Sequence, residues 1–243
     1  MADQSYIGKG KVYEDGRFIG NVSELKFNFE EEKKEQADYT VAGGGLANSI
    51  TRIKTVGISL TTVDFSEDNL SLATYGTKTA VTATAVTDEA VTSPADTTDG
   101  DRLLETANVI DVDVAPVVTS DPAGTTYVLD TDYTVNAAGI VILSSGSIAA
   151  STALLVSYTK KAVGVIETLT NTASESRLVF VGLNEAQSGK PMVITVYRAK
   201  FGPTSELSLI GDDFGSIGIA GDALSDASIT AGGKSKFFNI KAA

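Results

Sequence analysis

A step in charge density near the middle of the chain divides it into two parts of different composition. Of its 31 acidic residues, eleven lie between Thr79 and Thr159, where Arg102 is the only base. That stretch carries about −10, whereas the rest, with 20 acidic and 18 basic residues, carries −2. The pattern predicts one domain inserted into another: residues 1–78 and 163–243 form a discontinuous domain, and residues 79–162 form the inserted domain.

Composition excludes several classes of function. The chain has 243 residues, 42% of them hydrophobic, which is enough for a substantial core, and it has no cysteine and no histidine. Disulfides, thiolate catalysis and histidine-based acid–base or metal chemistry are therefore excluded. The remaining Asp, Glu, Lys, Tyr and Ser residues show no recognised catalytic spacing, so we expect neither an enzyme nor a bound cofactor.

The sequence also predicts a protein of an aqueous compartment that does not grip nucleic acid. The segment Met1–Gly10 is polar, and no stretch approaches the roughly 20 apolar residues of a membrane span. The formal charge of −12 disfavours a surface that binds phosphates.

Hydrophobic alternation predicts a mainly β fold with a single helix before the insertion. The helix is expected over Ser66–Tyr75, with Ser66 as N-cap and Gly76 as left-handed C-cap. In the discontinuous domain the predicted strands are Lys9–Tyr13, Phe18–Phe29, Ile50–Thr62, Val163–Leu169, Arg177–Val181, Met192–Phe201, Glu206–Ile210, Gly215–Ala220 and Phe237–Ile240. In the insertion they are Val109–Val118, Thr126–Leu129, Tyr133–Asn136, Ile140–Ser144 and Leu154–Thr159.

A long connection, Glu30–Asn48, is predicted between two of these strands. It begins with a charged run and ends near three consecutive glycines. Loops beyond about 12 to 15 residues in compact domains are usually functional or disordered. Two interpretations stay open: a solvated charged segment, or an arm that reaches a neighbouring subunit.

Three other patterns are better explained by turns and solvated strand faces than by ligand sites. Gly43–Gly45 lacks the Lys-Ser/Thr of a phosphate-binding loop. Gly211–Gly215 and Gly221-Asp222 lack the spacing of a calcium loop, and turn chemistry explains them better. The acidic pairs Asp111/Asp113 and Asp130/Asp132 likewise form no converging ligand set, so no metal site is predicted.

Several segments, in their order along the chain, resemble the major tail proteins, or tail tube proteins, of long-tailed bacteriophages. The resemblance covers most of residues 1–78 and 163–243. The matching segments are Tyr6–Tyr13, Gly20–Ser23, Asp38-Tyr39 leading to Gly43–Gly45, Asp64–Leu70 running to Tyr75-Gly76, Glu206–Gly215 and Gly221–Leu224.

The resemblance implies a tail-tube β-sandwich with a flanking α-helix. It also implies a structural virion protein that polymerises as stacked, hexameric rings into the tube through which DNA is ejected. Its partners would be copies of itself, the tape-measure protein, and the tail tip and tail terminator proteins. It would reside in the phage tail and, during assembly, in the host cytoplasm. The long connection would contact the adjacent ring through Glu30, Glu31, Glu32, Lys33, Lys34, Tyr39, Gly43, Gly44, Gly45 and Asn48.

The inserted stretch resembles the small immunoglobulin-like β-sandwich modules that decorate phage virion proteins, most clearly at Gly124–Tyr133. Such a module would project outward and coat the tube with negative charge.

Two other functions remain as alternatives. One is a non-catalytic β-sandwich binding module that recognises a carbohydrate or protein at a cell surface. The other is a carboxylate-based glycosidase, which requires two carboxyl groups across a cleft, and no acidic pair in the sequence is distinguished in that way.

Overall fold

The computed structural model describes residues 5–95 and 100–243, and these form two compact units. The first comprises Met1–Lys78 and Ile166–Ala243, and the second Thr79–Val165. From the step in charge density, the sequence analysis predicted that the chain returns to the first unit at residue 163. Two short strands, Thr77–Val81 (β5) and Val163–Glu167 (β12), pair with each other where the chain leaves and re-enters the first unit.

The first unit is built on an eight-stranded antiparallel sheet with the order β2-β1-β13-β14-β15-β4-β3, and β16 also pairs with β14. Its strands are Gly8–Glu14 (β1), Arg17–Phe18 (β2), Val22–Ala37 (β3), Leu46–Thr62 (β4), Glu175–Asn184 (β13), Lys190–Phe201 (β14), Ile217–Ala223 (β15) and Phe238–Ala242 (β16). A 3-10 helix, Glu185–Gln187, follows β13. The mainly β fold is thus confirmed.

Alternating burial along the strands creates the core of this unit. On β4, Val56, Ile58 and Leu60 are buried and the residues between them are half-buried. Ile217 and Ile219 of the neighbouring β15 follow the same period of two. One face of each strand therefore packs inward, as the sequence alternation predicts.

The single predicted helix is confirmed as Glu67–Thr74 (α1). Ser66 is its N-cap, and the Ser66 hydroxyl accepts a hydrogen bond from the Asn69 N–H at 3.4 Å. The predicted C-cap was wrong: Tyr75, at φ 52°, adopts the left-handed conformation. Gly76 meets a different requirement, since a Cβ there would lie 2.4 Å from Ile166 Cγ2.

The second unit contains two three-stranded antiparallel sheets, with the orders β7-β10-β9 and β6-β11-β8. Its strands are Thr84–Thr92 (β6), Arg102–Glu105 (β7), Val117–Ser120 (β8), Tyr133–Asn136 (β9), Gly139–Ile142 (β10) and Ala153–Lys160 (β11). One hydrophobic cluster, which includes Ile110, Val118, Ile140 and Leu154, forms its core.

Several strands of the insertion were predicted wrongly. Most of Val109–Val118 is irregular: Ile110 forms only an isolated bridge with Lys160, and regular pairing begins at Val117. Thr126–Leu129 also contains only isolated bridges. Valine-rich alternation fits any half-buried extended segment, so it does not reveal whether a hydrogen-bonding partner exists.

The predicted long connection Glu30–Asn48 was also wrong, because β3 and β4 extend through most of it and pair residue by residue. Glu30, Glu31, Glu32, Lys33 and Lys34 lie on β3, and Asn48 lies on β4. Only residues 38–45 connect the strands, and they include Tyr39, Gly43, Gly44 and Gly45. A charged run can form a strand where both of its faces meet solvent, and hydrophobic alternation does not detect that case.

None of the helices in the described residues is long and apolar enough to cross a membrane.

Candidate assembly surfaces

Strands β3 and β4 continue beyond the core as a two-stranded ribbon, defined here as residues 29–54. Every side chain in it is exposed except that of Asp38, which is half-buried. At the rise of an extended chain, Phe29 to Ala37 spans about 30 Å. Six large apolar side chains lie on the ribbon in water: Phe29, Tyr39, Val41, Leu46, Ile50 and Ile53. The ribbon thus has the exposed apolar side chains of a surface that contacts another protein chain.

Charges alternate along the ribbon so that opposite signs share a face. Lys33 forms an ion pair with Glu35 on one face, and Lys34 lies 3.5 Å from Glu32 on the other. Lys54 of β4 approaches Glu30 at 3.6 Å. All of these side chains are exposed, so each pair contributes at most about 1 kcal/mol. Because an isolated two-stranded hairpin is marginally stable in water, the ribbon has little support of its own.

The tip of the ribbon is an ordered turn. The Asp38 carboxylate accepts hydrogen bonds from the Thr40 N–H at 2.8 Å and the Thr40 hydroxyl at 2.6 Å. These bonds lower the pKa of Asp38 below its usual value. Gly43, Gly44 and Gly45 all have positive φ, which explains the three consecutive glycines. Tyr39 stands at this tip with 90% of its surface exposed.

Strands β3 and β1 of the first unit each have an open hydrogen-bonding side within the described residues. β3 pairs only with β4, so its other side is unpaired along its length. β1 pairs with β13 throughout but with β2 only at Tyr13 and Glu14, which leaves the outer side of residues 8–11 open. Open edges are templates for pairing with another chain.

Two acidic residues, Glu14 and Asp68, line a cavity of about 310 Å³ beside α1. Glu14 in its wall binds Arg17 at 2.7 Å, and Arg17 also donates to the Asn69 side chain at 2.8 Å. Asp68, also in the wall, accepts a hydrogen bond from Lys78 at 2.7 Å, and this bond lowers its pKa. Each of these two carboxylates is therefore engaged by a basic side chain.

Three of the four acidic residues in the two pairs of the insertion have structural partners. The Asp132 carboxylate accepts hydrogen bonds from the Val128 N–H, the Ser147 N–H and the Ser147 hydroxyl, at 2.7 to 2.8 Å. Asp111 and Asp113 both approach Lys161, at 3.1 and 3.7 Å. Within residues 5–95 and 100–243, no group of three acidic side chains is placed to hold a metal ion.

The two glycine–aspartate patterns differ from each other. Residues 211–215 lie in an exposed loop, whereas Gly221-Asp222, interpreted as a turn, lies inside β15. A Cβ at Gly221 would lie 2.2 Å from the Lys200 carbonyl oxygen. This glycine therefore permits two strands to approach closely, a requirement that sequence reasoning missed.

Sequence reasoning also missed an exposed apolar segment between β14 and β15. Glu206–Ile210 was predicted as a strand, but it forms no strand in the structure. Leu209, Ile210 and Phe214 are 73, 97 and 99% exposed. The only signal in the sequence was the apolar alternation itself, which indicated a strand without indicating its partner.

Comparison with known proteins identifies a family. The family described as Protein of unknown function UCP028589 matches residues 5–241, a range that runs through both units. None of the curated proteins matches the chain.

Proposed function

The chain belongs to the family described as Protein of unknown function UCP028589, and we propose that it is a structural subunit that polymerises into a bacteriophage tail tube. The observation that carries this proposal is the ribbon of residues 29–54, which exposes both faces and six large apolar side chains. A monomer gains nothing from such a ribbon, whereas a polymer can bury it in each added copy.

In the proposed assembly, the ribbon of one subunit contacts the next ring of a stacked, hexameric tube. Its mixed charges and scattered apolar side chains suit a contact that forms on encounter, since the charged groups steer and the apolar groups stabilise. The contact residues are those named from the sequence: Glu30, Glu31, Glu32, Lys33, Lys34, Tyr39, Gly43, Gly44, Gly45 and Asn48. In the structure these residues lie on two paired strands and in the turn that connects them.

Lateral contacts within a ring would use the open edges. The free side of β3 and residues 8–11 of β1 are unpaired backbone on the same unit. Pairing of an open edge with a different segment of the next copy is heterologous, and such contacts close into a ring when the rotation closes.

The inserted unit, Thr79–Val165, is proposed to be an immunoglobulin-like module that projects from the outside of the tube. Two facing three-stranded sheets around one core are the architecture of a small β-sandwich. Its acidic surface would keep tubes apart in the virion and in the host cytoplasm during assembly.

The tube would serve as a passive conduit for DNA, assembled around a tape-measure protein between a tip and a terminator. With a net charge of −12, the subunit offers little to trap a phosphate backbone. This function requires no catalytic group and no cofactor.

Sedimentation velocity over a wide range of protein concentration tests the proposal. We expect a cooperative transition from the 25.2 kDa monomer to very large species above a threshold concentration. A chain that stays monomeric with and without a tail-tip preparation would contradict the proposal. That result would favour the alternative, a module that binds a carbohydrate or protein.

A further inference from the structure

The segment between β14 and β15, residues 206–214, has the properties of a strand without a partner. Residues 207–214 make no hydrogen bond to any of the residues that the structure describes. Leu209 is largely exposed, and Ile210 and Phe214 are almost fully exposed. The sequence nevertheless has the alternation of a strand over Glu206–Ile210.

The base of this segment is anchored, so the exposed part is held away from the core. The Gly202 N–H donates to the Ala220 carbonyl at 2.7 Å, and the Thr204 N–H donates to the Ala73 carbonyl at 2.7 Å. At the other end, Gly215 lies against the Phe65 ring, where a Cβ would be 2.9 Å away. The fold thus presents the segment to something outside this unit.

The same unit carries a groove of about 730 Å³ between the open edges of β1 and β3. Its apolar lining includes Val22, Leu25, Phe27, Phe180, Met192 and Ile194. Unpaired backbone borders the groove at β1 residues 8–11 and along β3. A groove with an apolar floor and an open strand edge is the type of site that accepts an added strand.

The segment is acidic, whereas the β1 border of the groove is basic. Residues 203–216 contain Glu206, Asp212 and Asp213 and no base. The β1 border contains Lys9 and Lys11 with no acid between Ser5 and Tyr13, and neither lysine has an ion pair among the described residues. At the β3 border Lys26 is already paired with Glu24 at 2.7 Å. The β1 side is therefore the complementary one.

We propose that residues 206–214 of one copy add as a strand to the β1 edge of a second copy. In an added strand Leu207 and Leu209 share one face and fill the groove, whereas Glu206 and Asp212 lie on the opposite face beside Lys9 and Lys11. The occupant is a second copy because the segment and the groove are complementary surfaces of one chain. The contact is heterologous, so it can repeat from copy to copy. This inference rests on the proposed function in that it requires the chain to self-assemble.

Disulfide cross-linking tests the contact directly, since the chain has no cysteine of its own. A Leu209→Cys protein, labelled with a heavy isotope, is mixed with an unlabelled Ser23→Cys protein and oxidised under assembly conditions. Ser23 lines the groove, and the change to cysteine is nearly isosteric. We expect a 209–23 disulfide between labelled and unlabelled chains, identified by mass spectrometry. The matched control replaces Leu209→Cys with Leu169→Cys, another exposed leucine position outside the segment, and should give little of this product.

A second variant measures the apolar contribution without cysteines. Leu209→Asp should lower the association constant in sedimentation by at least about tenfold, because it places a charge in the groove. Leu169→Asp makes the same chemical change at a 74% exposed position and should assemble like the wild type.

The outcomes separate this inference from the proposed function. Normal assembly of Leu209→Asp without a 209–23 disulfide overturns the inference and leaves the tube proposal intact. A specific disulfide in species that never exceed small oligomers supports the inference and overturns the tube. A monomeric, uncross-linked chain overturns both.

Discussion

Asp132 fixes a tight turn in the inserted unit through a carboxylate that is only 7% exposed. Its three hydrogen bonds come from Val128 and Ser147 and lower its pKa. Because the folded pKa lies below the unfolded value of about 3.9, the stabilisation is complete above that value. It is lost as the pH falls through the folded pKa.

We expect Asp132→Asn to destabilise the inserted unit by about 2–3 kcal/mol at pH 7. The amide nitrogen would face a backbone N–H and leave that donor unpaired. Hydrogen exchange of residues 127–147 would measure the loss, and the difference between variant and wild type should shrink below about pH 4. The control Asp130→Asn removes the same charge from an exposed residue with a left-handed backbone that Asn tolerates. An equal effect of both variants would contradict this role for Asp132.

Gly221 provides the second test at the residue scale. A Cβ would lie 2.2 Å from the Lys200 carbonyl oxygen and 2.6 Å from Phe201 Cα, both backbone atoms. Gly221→Ala should therefore cost about 1–3 kcal/mol, measured from the urea midpoint. Gly218→Ala lies on the same strand with open space around it and should leave the midpoint unchanged. Equal midpoints for the two variants would show that the sheet adjusts freely.

At the scale of elements, the sequence was sufficient wherever burial and local signals agreed. The helix Glu67–Thr74 carried an N-cap and acidic residues in its first turn, and β14 carried a strong apolar alternation. The extension of β3 and β4 carried neither burial nor a local signal, because both faces of the ribbon are exposed. Its strands are defined by the hydrogen bonds between them. The segment Glu206–Ile210 is the converse case, since it has strand alternation and no partner within the described chain.

Shortening the ribbon separates folding from assembly. Replacing residues 32–52 with Asn-Gly joins Glu31 to Ile53, which are paired across β3 and β4, by a two-residue turn. No buried side chain is removed, so the unfolding free energy should change by less than about 1 kcal/mol. Large assemblies should disappear in sedimentation. If this variant assembles as well as the wild type, the ribbon is not part of the interface.

At the scale of the whole molecule, charge is concentrated in the inserted unit. Thr79–Val165 contains eleven acidic and three basic residues, so the rest of the chain carries −4 of the total −12. Its connecting strands β5 and β12 pair with each other, so its two ends leave the first unit side by side. That arrangement allows the unit to be removed without a long replacement linker.

Deleting Thr79–Val165 and joining Lys78 to Ile166 with a short glycine linker should leave assembly intact. The shortened tubes should aggregate laterally near physiological salt, where the wild type stays dispersed, because most of the repulsive charge is gone. Light scattering with electron microscopy would measure this difference. Complete loss of assembly would place the insertion within the interface.

The central claim is self-assembly into a tube, and electron microscopy of the purified chain, fresh and after prolonged incubation at high concentration, tests it most directly. The account predicts six-fold rings or hollow tubes with outward knobs, together with their absence from the ribbon-shortened variant. A monodisperse monomer in every condition, with the same images for wild type and variant, would contradict it.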